Sequence, residues 1–404
     1  MKPFLRTLHL WTGLTFGAIL VVLGLTGSAL SWFHELDSML NPGLLQVAPP
    51  AGVQAGAALR LAPAQVQAAA DALLADPRYG RPSMIETPER AGDVFVAWYR
   101  PVPGGGAAWS QPVTRQVMVD PATLQVTGER NWGEAGLSRP LLMPTLFHIH
   151  RYLVAGDVGK VVIAVTGVSL LLMTLTGIIL WWPRMARSAI WKAITVRHGG
   201  SWPRFSFQLH RAGGFFAAPM LLVTAFSGVH FNMPAWSTPA IKAVAQVSPN
   251  AKLTNASAPS ARGISVADAV AAAQKQYSEG RVSRLSFPAK ATLPFEARVR
   301  QPGELRMGPG ATRISIDSGD GAVLRVIDPV TAKSGDKFIS WLFPLHTGEA
   351  FGMAGRVFIS LFGFVPLAFF VTGLVIWLKV RRKPLNVRSP AVKAIDCWRE
   401  RIPP

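Results

Sequence analysis

Cysteine is nearly absent: the 404-residue chain has one, Cys397, seven residues from its end. A disulfide framework, a thiolate zinc site, an iron–sulfur cluster and a Cys-x-x-Cys-His covalent haem are therefore excluded within one chain. Any metal must be held by nitrogen or oxygen. Charge is also scarce, at 16% of residues against roughly 25% in an ordinary soluble domain, while 50% are apolar. That balance argues against a cytosolic globule. Acids are the scarcer sign, 22 against 41 Lys and Arg, giving a net charge of +19. An excess this large fits either nucleic acid or an anionic membrane surface, and the placement of the charges decides between them.

Four stretches carry no charged side chain: 8–34, 161–183, 212–241 and 357–378. About 20 apolar residues cover a hydrocarbon core of roughly 30 Å, so each can span a bilayer. The short segment between the second and third contains Arg184, Arg187, Lys192, Arg197 and Arg204 with no acid, which by the positive-inside rule marks the cytoplasmic side. Lys2 and Arg6 at the start, and Lys379, Arg381, Arg382 and Lys383 near the end, fall on that side for an even number of spans. Topology thus accounts for the charge, and nucleic acid loses its support as a partner. A cleaved signal peptide is the rival reading of the first stretch, but its uncharged run far exceeds the roughly 7–15 residues of a signal core.

The chain also repeats itself. Leu8-His9-Leu10-Trp11-Thr12-Gly13 aligns with Leu209-His210-Arg211-Ala212-Gly213-Gly214, and the same offset places Thr26-Gly27 on Ser227-Gly228. Leu146-Phe147-His148-Ile149-His150 aligns with Leu342-Phe343-Pro344-Leu345-His346, and that second offset places Thr176-Gly177 on Thr372-Gly373. Two copies of span, outer segment and span follow, running in the same direction. The expected order is span 1–34, outer segment 35–145, span 146–183, basic loop 184–208, span 209–231, outer segment 232–343, span 344–379 and cytoplasmic tail 380–404.

Each outer segment has the length of a small domain. In the second, Ser265 caps an amphipathic helix over 265–277, followed by strand patterns at 298–300, 313–317 and 323–327 around the turn Gly319-Asp320-Gly321. The first repeats the plan, with a helix near 63–74, a strand over 94–99 and a hairpin over 115–128. Both read as α+β. Neither contains G-x-G-x-x-G, a Walker loop, G-x-S-x-G or an acidic cluster with metal spacing, so binding or scaffolding is their expected role.

Chemistry is left to eight histidines. The repeat superposes His9 on His210 at the cytoplasmic ends of their spans, and His150 on His346 at the opposite ends. Equivalent positions in a pseudo-twofold bundle face each other, so two His–His pairs are expected. A single interfacial histidine can simply hydrogen-bond headgroups, but four that pair are costly in a membrane and point to function. Two imidazoles without cysteine or carboxylate match the axial ligands of a b-type haem better than tetrahedral zinc, which needs three or four ligands. Gly13, Gly17, Gly213, Gly214, Ala217 and Ala218 either leave room for a flat macrocycle or let helices pack closely. His34, His148 and His230, whose counterparts are Ala235, Pro344 and Ala29, are second choices, and His198 belongs to the basic loop.

Leu8-His9 with its following glycines, Thr26-Gly27, the run Trp32-Phe33-His34-Glu35-Leu36-Asp37, His150-Arg151-Tyr152-Leu153 and Leu345-His346-Thr347-Gly348-Glu349 together resemble the PepSY-associated transmembrane helix family. The resemblance covers nearly the whole chain. It implies a bacterial inner-membrane protein with four transmembrane helices, two periplasmic PepSY-like domains and two haem b groups held by His9, His210, His150 and His346. It further implies reduction of ferric siderophores in the periplasm. With no flavin or nicotinamide fingerprint and a short cytoplasmic loop, electrons are expected from a separate cytoplasmic reductase or from membrane quinol. Two rival functions stand beside this one. One is a non-redox protein whose outer domains bind a peptidase, peptide or envelope partner; the other is a His-lined metal transporter, disfavoured because the spans hold no carboxylate to balance a moving cation.

Overall fold

The computed structural model describes residues 2–100, 110–183, 186–197, 200–249, 252–257 and 263–381; His198, Cys397 and the basic residues beyond 381 lie outside the described residues. Among the described residues, four segments are long and apolar enough to cross a membrane: Lys2–Leu30, Gly156–Trp181, Trp202–Asn232 and Glu349–Lys379. They form a ring in which the first and third spans each touch the second and fourth. The fourth is interrupted between helices Gly352–Phe362 and Val365–Arg381. Pro366 sits in the first turn of the second piece, where its missing N–H costs nothing.

The stretches 146–183 and 344–379, each expected as one helix, are broken. A separate helix Arg139–Tyr152 precedes the second span, and Ser334–Thr347 precedes the fourth. The first break turns through Leu153, Val154 and Gly156 at φ 48, 53 and 52°, the second through Gly348 at φ 82°. Left-handed geometry at Val154, a β-branched residue, is uncommon and is held by what surrounds it. Gly159 and Gly355 permit the tight folding back, since a Cβ on either would collide with the carbonyl of Tyr152 or Gly348. Nothing in Leu153-Val154-Ala155 reads as a helix breaker, so periodicity alone runs the two helices together. The consequence is that His150 and His346 lie in the last turns of the short helices.

Between the spans lies one antiparallel sheet of eight strands: β1 Met84–Glu86, β2 Phe95–Tyr99, β3 Thr114–Val119, β4 Val126–Trp132, β5 Arg281–Ser286, β6 Phe295–Arg300, β7 Thr312–Ile316 and β8 Val323–Ile327. Their order is β4-β3-β2-β1-β5-β6-β7-β8. The two outer segments therefore share a single sheet through the β1–β5 seam, where Ile85 lies opposite Leu285. Helices Pro63–Ala75 and Val266–Gln276 cover one face and bury Leu73, Ile85, Phe95, Val270, Leu285 and Ile314 beneath them. Burying side chains of this size is worth about 1.5–3 kcal/mol each. Ser265 and Asp268 close a reciprocal cap on the second helix, satisfying two backbone donors that would otherwise be orphaned.

The opposite face of the sheet meets the bundle. In the N-terminal half Trp132 packs against Phe33, Phe147 and His148, all on helices Phe33–Leu40 and Arg139–Tyr152. Beside them Arg130 of β4 pairs with Asp37 at 2.9 Å, with side chains only 5% and 3% exposed. Gln116 accepts from Arg130 Nε at 2.6 Å, and Asn41 Nδ2 donates to Asp37 Oδ1 at 3.0 Å. This saturated network ties the sheet to the end of the first span. Arg130→Met should cost about 3–5 kcal/mol by stranding a buried carboxylate. Thermal unfolding in detergent should show that loss largely restored in Asp37→Leu/Arg130→Met, and additive losses in the double variant would contradict the pairing.

Candidate functional site

The ring of spans brings the four principal histidines together as two pairs across its diagonals. His9 of the first span faces His210 of the third with ring centroids 6.2 Å apart and planes at 82°. His150 faces His346 at 6.2 Å and 79°. The first pair lies at the end of the bundle away from the sheet, the second at the sheet end. His150 is bonded to Thr26 of the first span, 17 residues beyond His9, so the pairs are separated by roughly 25 Å along that helix.

Each imidazole is held in the same way by a hydroxyl on a neighbouring span. His9 Nδ1 lies 3.0 Å from Thr176 Oγ1, His210 Nδ1 3.0 Å from Thr372 Oγ1, His150 Nδ1 3.1 Å from Thr26 Oγ1, and His346 Nδ1 2.7 Å from Ser227 Oγ. A hydroxyl has one proton to give. Thr176 donates it to Leu172 O at 2.7 Å, Thr372 to Ala368 O at 2.7 Å, Thr26 to Val22 O at 2.7 Å and Ser227 to Val223 O at 2.6 Å. Each hydroxyl can then only accept from the ring, which assigns the proton to Nδ1 and leaves a lone pair on Nε2. At three of the four sites the glycine after the hydroxyl lies against the ring: an added Cβ would stand 3.3 Å from His9 Cε1 at Gly177, 3.0 Å from His150 Cε1 at Gly27 and 3.6 Å from His210 Cε1 at Gly373, whereas at Gly228 it would meet nothing within 4 Å.

This donor set constrains what can bind. Among the described residues no group of three or more His, Cys, Asp or Glu could hold a metal ion, which rules against a tetrahedral site built from them. Two imidazole nitrogens on opposite sides of one metal, each about 2 Å from it, place ring centroids roughly 6 Å apart. Both observed separations have that value. Ring orientation fixed by a hydrogen bond at the second nitrogen is the usual support of a metal-ligating histidine. Phe369 lies 5.2 Å from His210, and Phe231 lies 5.5 Å from His346, giving both pairs apolar walls.

The remaining histidines stand apart from the two pairs. His148 is buried, its Nδ1 2.8 Å from Pro144 O and its ring stacked on Tyr152. His230 is buried with Nδ1 2.8 Å from Ser237 Oγ. His34 is exposed. Of the small residues near the first pair, Gly17 faces Phe370 and Gly213 faces Phe369 of the fourth span, whereas a Cβ on Gly214 would meet nothing within 4 Å. Close packing therefore explains the first two. Sequence reasoning aligned the Thr-Gly and Ser-Gly dipeptides without assigning them a role. Their signal was the constant spacing, 17 residues from His9 to Thr26 and from His210 to Ser227, and 26 from His150 to Thr176 and from His346 to Thr372.

No curated protein matches the chain. The family model described as the PepSY-associated TM region matches residues 6–379, an extent that contains the sheet, both histidine pairs and the four spans apart from the first four residues of span one. The protein is a multi-pass membrane protein and belongs to the PepSY-associated TM region family.

Proposed function

We propose that the protein is an inner-membrane di-haem b-type reductase, passing electrons from the cytoplasmic side to a ferric siderophore on the periplasmic side and releasing Fe(II). The observation that carries this reading is the pair of facing imidazole pairs, each ring with Nδ1 committed to a hydroxyl and Nε2 free. Held between a pair, haem b supplies a one-electron couple near each membrane face. The chain's own residues do the rest. His9, His210, His150 and His346 would hold the group through their Nε2 atoms, the four hydroxyls fix ring tautomer and direction, and Phe369 and Phe231 would exclude water. Reduction serves release because hard oxygen donors hold Fe(III) far better than Fe(II).

Orientation follows from charge. Lys2, Arg6, Arg187, Lys192 and Arg204 cluster at the His9–His210 end of the bundle, and Arg211 donates to the carbonyl of Lys192. The positive-inside rule makes this end cytoplasmic, with both termini there and the sheet periplasmic. In this orientation the His9–His210 pair would lie on the side of a separate cytoplasmic reductase or membrane quinol, and the His150–His346 pair on the side of the ferric chelate.

His9→Ala should remove one haem per chain and abolish electron entry while leaving the absorbance of the second haem; His150→Ala and His346→Ala should each lose the other haem together with ferric-chelate reduction. A His9→Ala protein that keeps two full haems would refute the assignment. Thr176→Val keeps the ligand and removes only its support, so haem affinity should fall roughly 10–100-fold, measured by haem titration of the apoprotein. For topology, in a Cys397→Ser background a cysteine replacing Ala55 should react with an impermeant maleimide in spheroplasts. One replacing Ser188 should react only after lysis, and the reverse pattern would invert the proposed direction of electron flow.

A further inference from the structure

Cross-strand register reveals an asymmetry on the sheet face that meets the bundle. In the N-terminal half, one row across four strands runs Met84, Trp98, Gln116, Arg130. It is apolar or neutral except at Arg130, which Asp37 neutralises. The matching row of the other half runs Arg284, Arg298, Arg313, Ile327. Three guanidiniums thus stand directly opposite one another on adjacent strands, an arrangement that repels and destabilises a sheet. Arg306, from the β6–β7 connection, adds a fourth positive charge beside them.

Few carboxylates offset this group. Glu86 pairs with Arg284, and Glu349 accepts from the Met307 backbone N–H at 2.8 Å. Glu296 is one row away, opposite Ser286 and Ser315. Among the described residues, Arg298, Arg306 and Arg313 form no ion pair with a carboxylate. Arg306 lies 4.1 Å over the Phe343 ring, and its Nε is buried without a partner. Burial and the neighbouring charges of Arg306, Arg284 and Arg313 pull the Arg298 guanidinium down to about 9. Among the described residues, Glu86 at Arg284 and the charges of Glu349 and Glu304 near Arg306 offset only part of the cost of assembling this group.

The row is also close to the point of electron exit. Phe343 under Arg306 lies 6.0 Å from Phe231, which lies 5.5 Å from His346. Arginine's planar fork recognises carboxylate and other oxyanions bidentately.

We propose that Arg284, Arg298, Arg306 and Arg313 bind an anionic ferric chelate, with catecholate or carboxylate oxygens and net negative charge, between the sheet and the His150–His346 end of the bundle. That the anion is an iron chelate rests on the reductase reading; the preference for an anion rests on the arginine row itself. A lipid phosphate presents similar chemistry, so the test separates the two sources.

The experiment uses full-length protein in neutral phosphatidylcholine nanodiscs and redox-inert gallium(III) complexes, so that binding is read independently of electron transfer. Gallium tris-catecholate, a trianion, should bind at least tenfold more tightly than neutral gallium tris-acetohydroxamate, and should weaken as salt rises. Arg298→Gln/Arg313→Gln should lower trianion affinity at least tenfold with little effect on the neutral complex. Arg298→Lys, which keeps the charge, should retain most of it and controls for folding. Equal affinity for the two complexes, or trianion binding indifferent to both glutamines, would overturn the proposal. So would arginine-dependent enrichment of phosphatidylglycerol around the protein without trianion binding, which would make the row a lipid site. Arginine-dependent trianion binding by protein that carries no haem would support the anion site and sink the reductase reading instead.

Discussion

Four hydroxyl–imidazole hydrogen bonds set the geometry on which everything else depends. A threonine or serine inside a helix normally gives its proton to the carbonyl one turn back, and here that habit turns the oxygen into an obligate acceptor. The imidazole that meets it must present an N–H, so the opposite nitrogen is stripped of its proton and aimed across the bundle. Each such bond joins different helices: Thr176 ties the first span to the second and Thr372 the third to the fourth, while Thr26 and Ser227 tie the first and third spans to the short helices that carry His150 and His346. The histidine pairs then close the other contacts, His9 and His210 between the first and third spans and His150 and His346 between the two short helices. Helix packing and imidazole orientation are therefore one constraint.

The sheet end is anchored with equal economy. Asp37 and Arg130 lock the N-terminal half of the sheet to the end of the first span, and the seam from β1 to β5 carries that anchorage to the other half. The C-terminal half presents arginines where its partner presents Met84, Trp98 and Gln116. One face of one sheet thereby carries a neutralised anchor in one half and a row of arginines in the other. Arg306 on Phe343 and the aromatic contacts to His346 connect the two ends of this arrangement.

Much of this was legible in the sequence, and the limits have physical causes. Stretches without charge located the spans, because a membrane forbids unpaired charge whatever the tertiary structure. Superposing His9 on His210 and His150 on His346 named pairs of residues whose rings the structure brings to 6.2 Å of each other. The single eight-stranded sheet was not legible: Met84-Ile85-Glu86 is too short to show alternation, and its pairing with β5 is set by residues nearly two hundred positions away. The break before the second span was hidden because Leu153 and Val154 take left-handed geometry that their side chains disfavour. The arginine row was hidden for a third reason. Arg284, Arg298 and Arg313 are scattered in sequence and meet only through strand register.

The most direct measurement of the central claim is electron paramagnetic resonance of the oxidised, purified protein in frozen solution, together with its haem content. The imidazole planes within each pair stand at 82° and 79°, and near-perpendicular axial rings leave two iron d-orbitals almost degenerate, which stretches the low-spin signal into a strongly anisotropic one. The account predicts two haems per chain, both low-spin and bis-imidazole, both with that strong anisotropy. Protein purified after growth with adequate haem that contains none, or whose haem is high-spin with an open axial position, would contradict it.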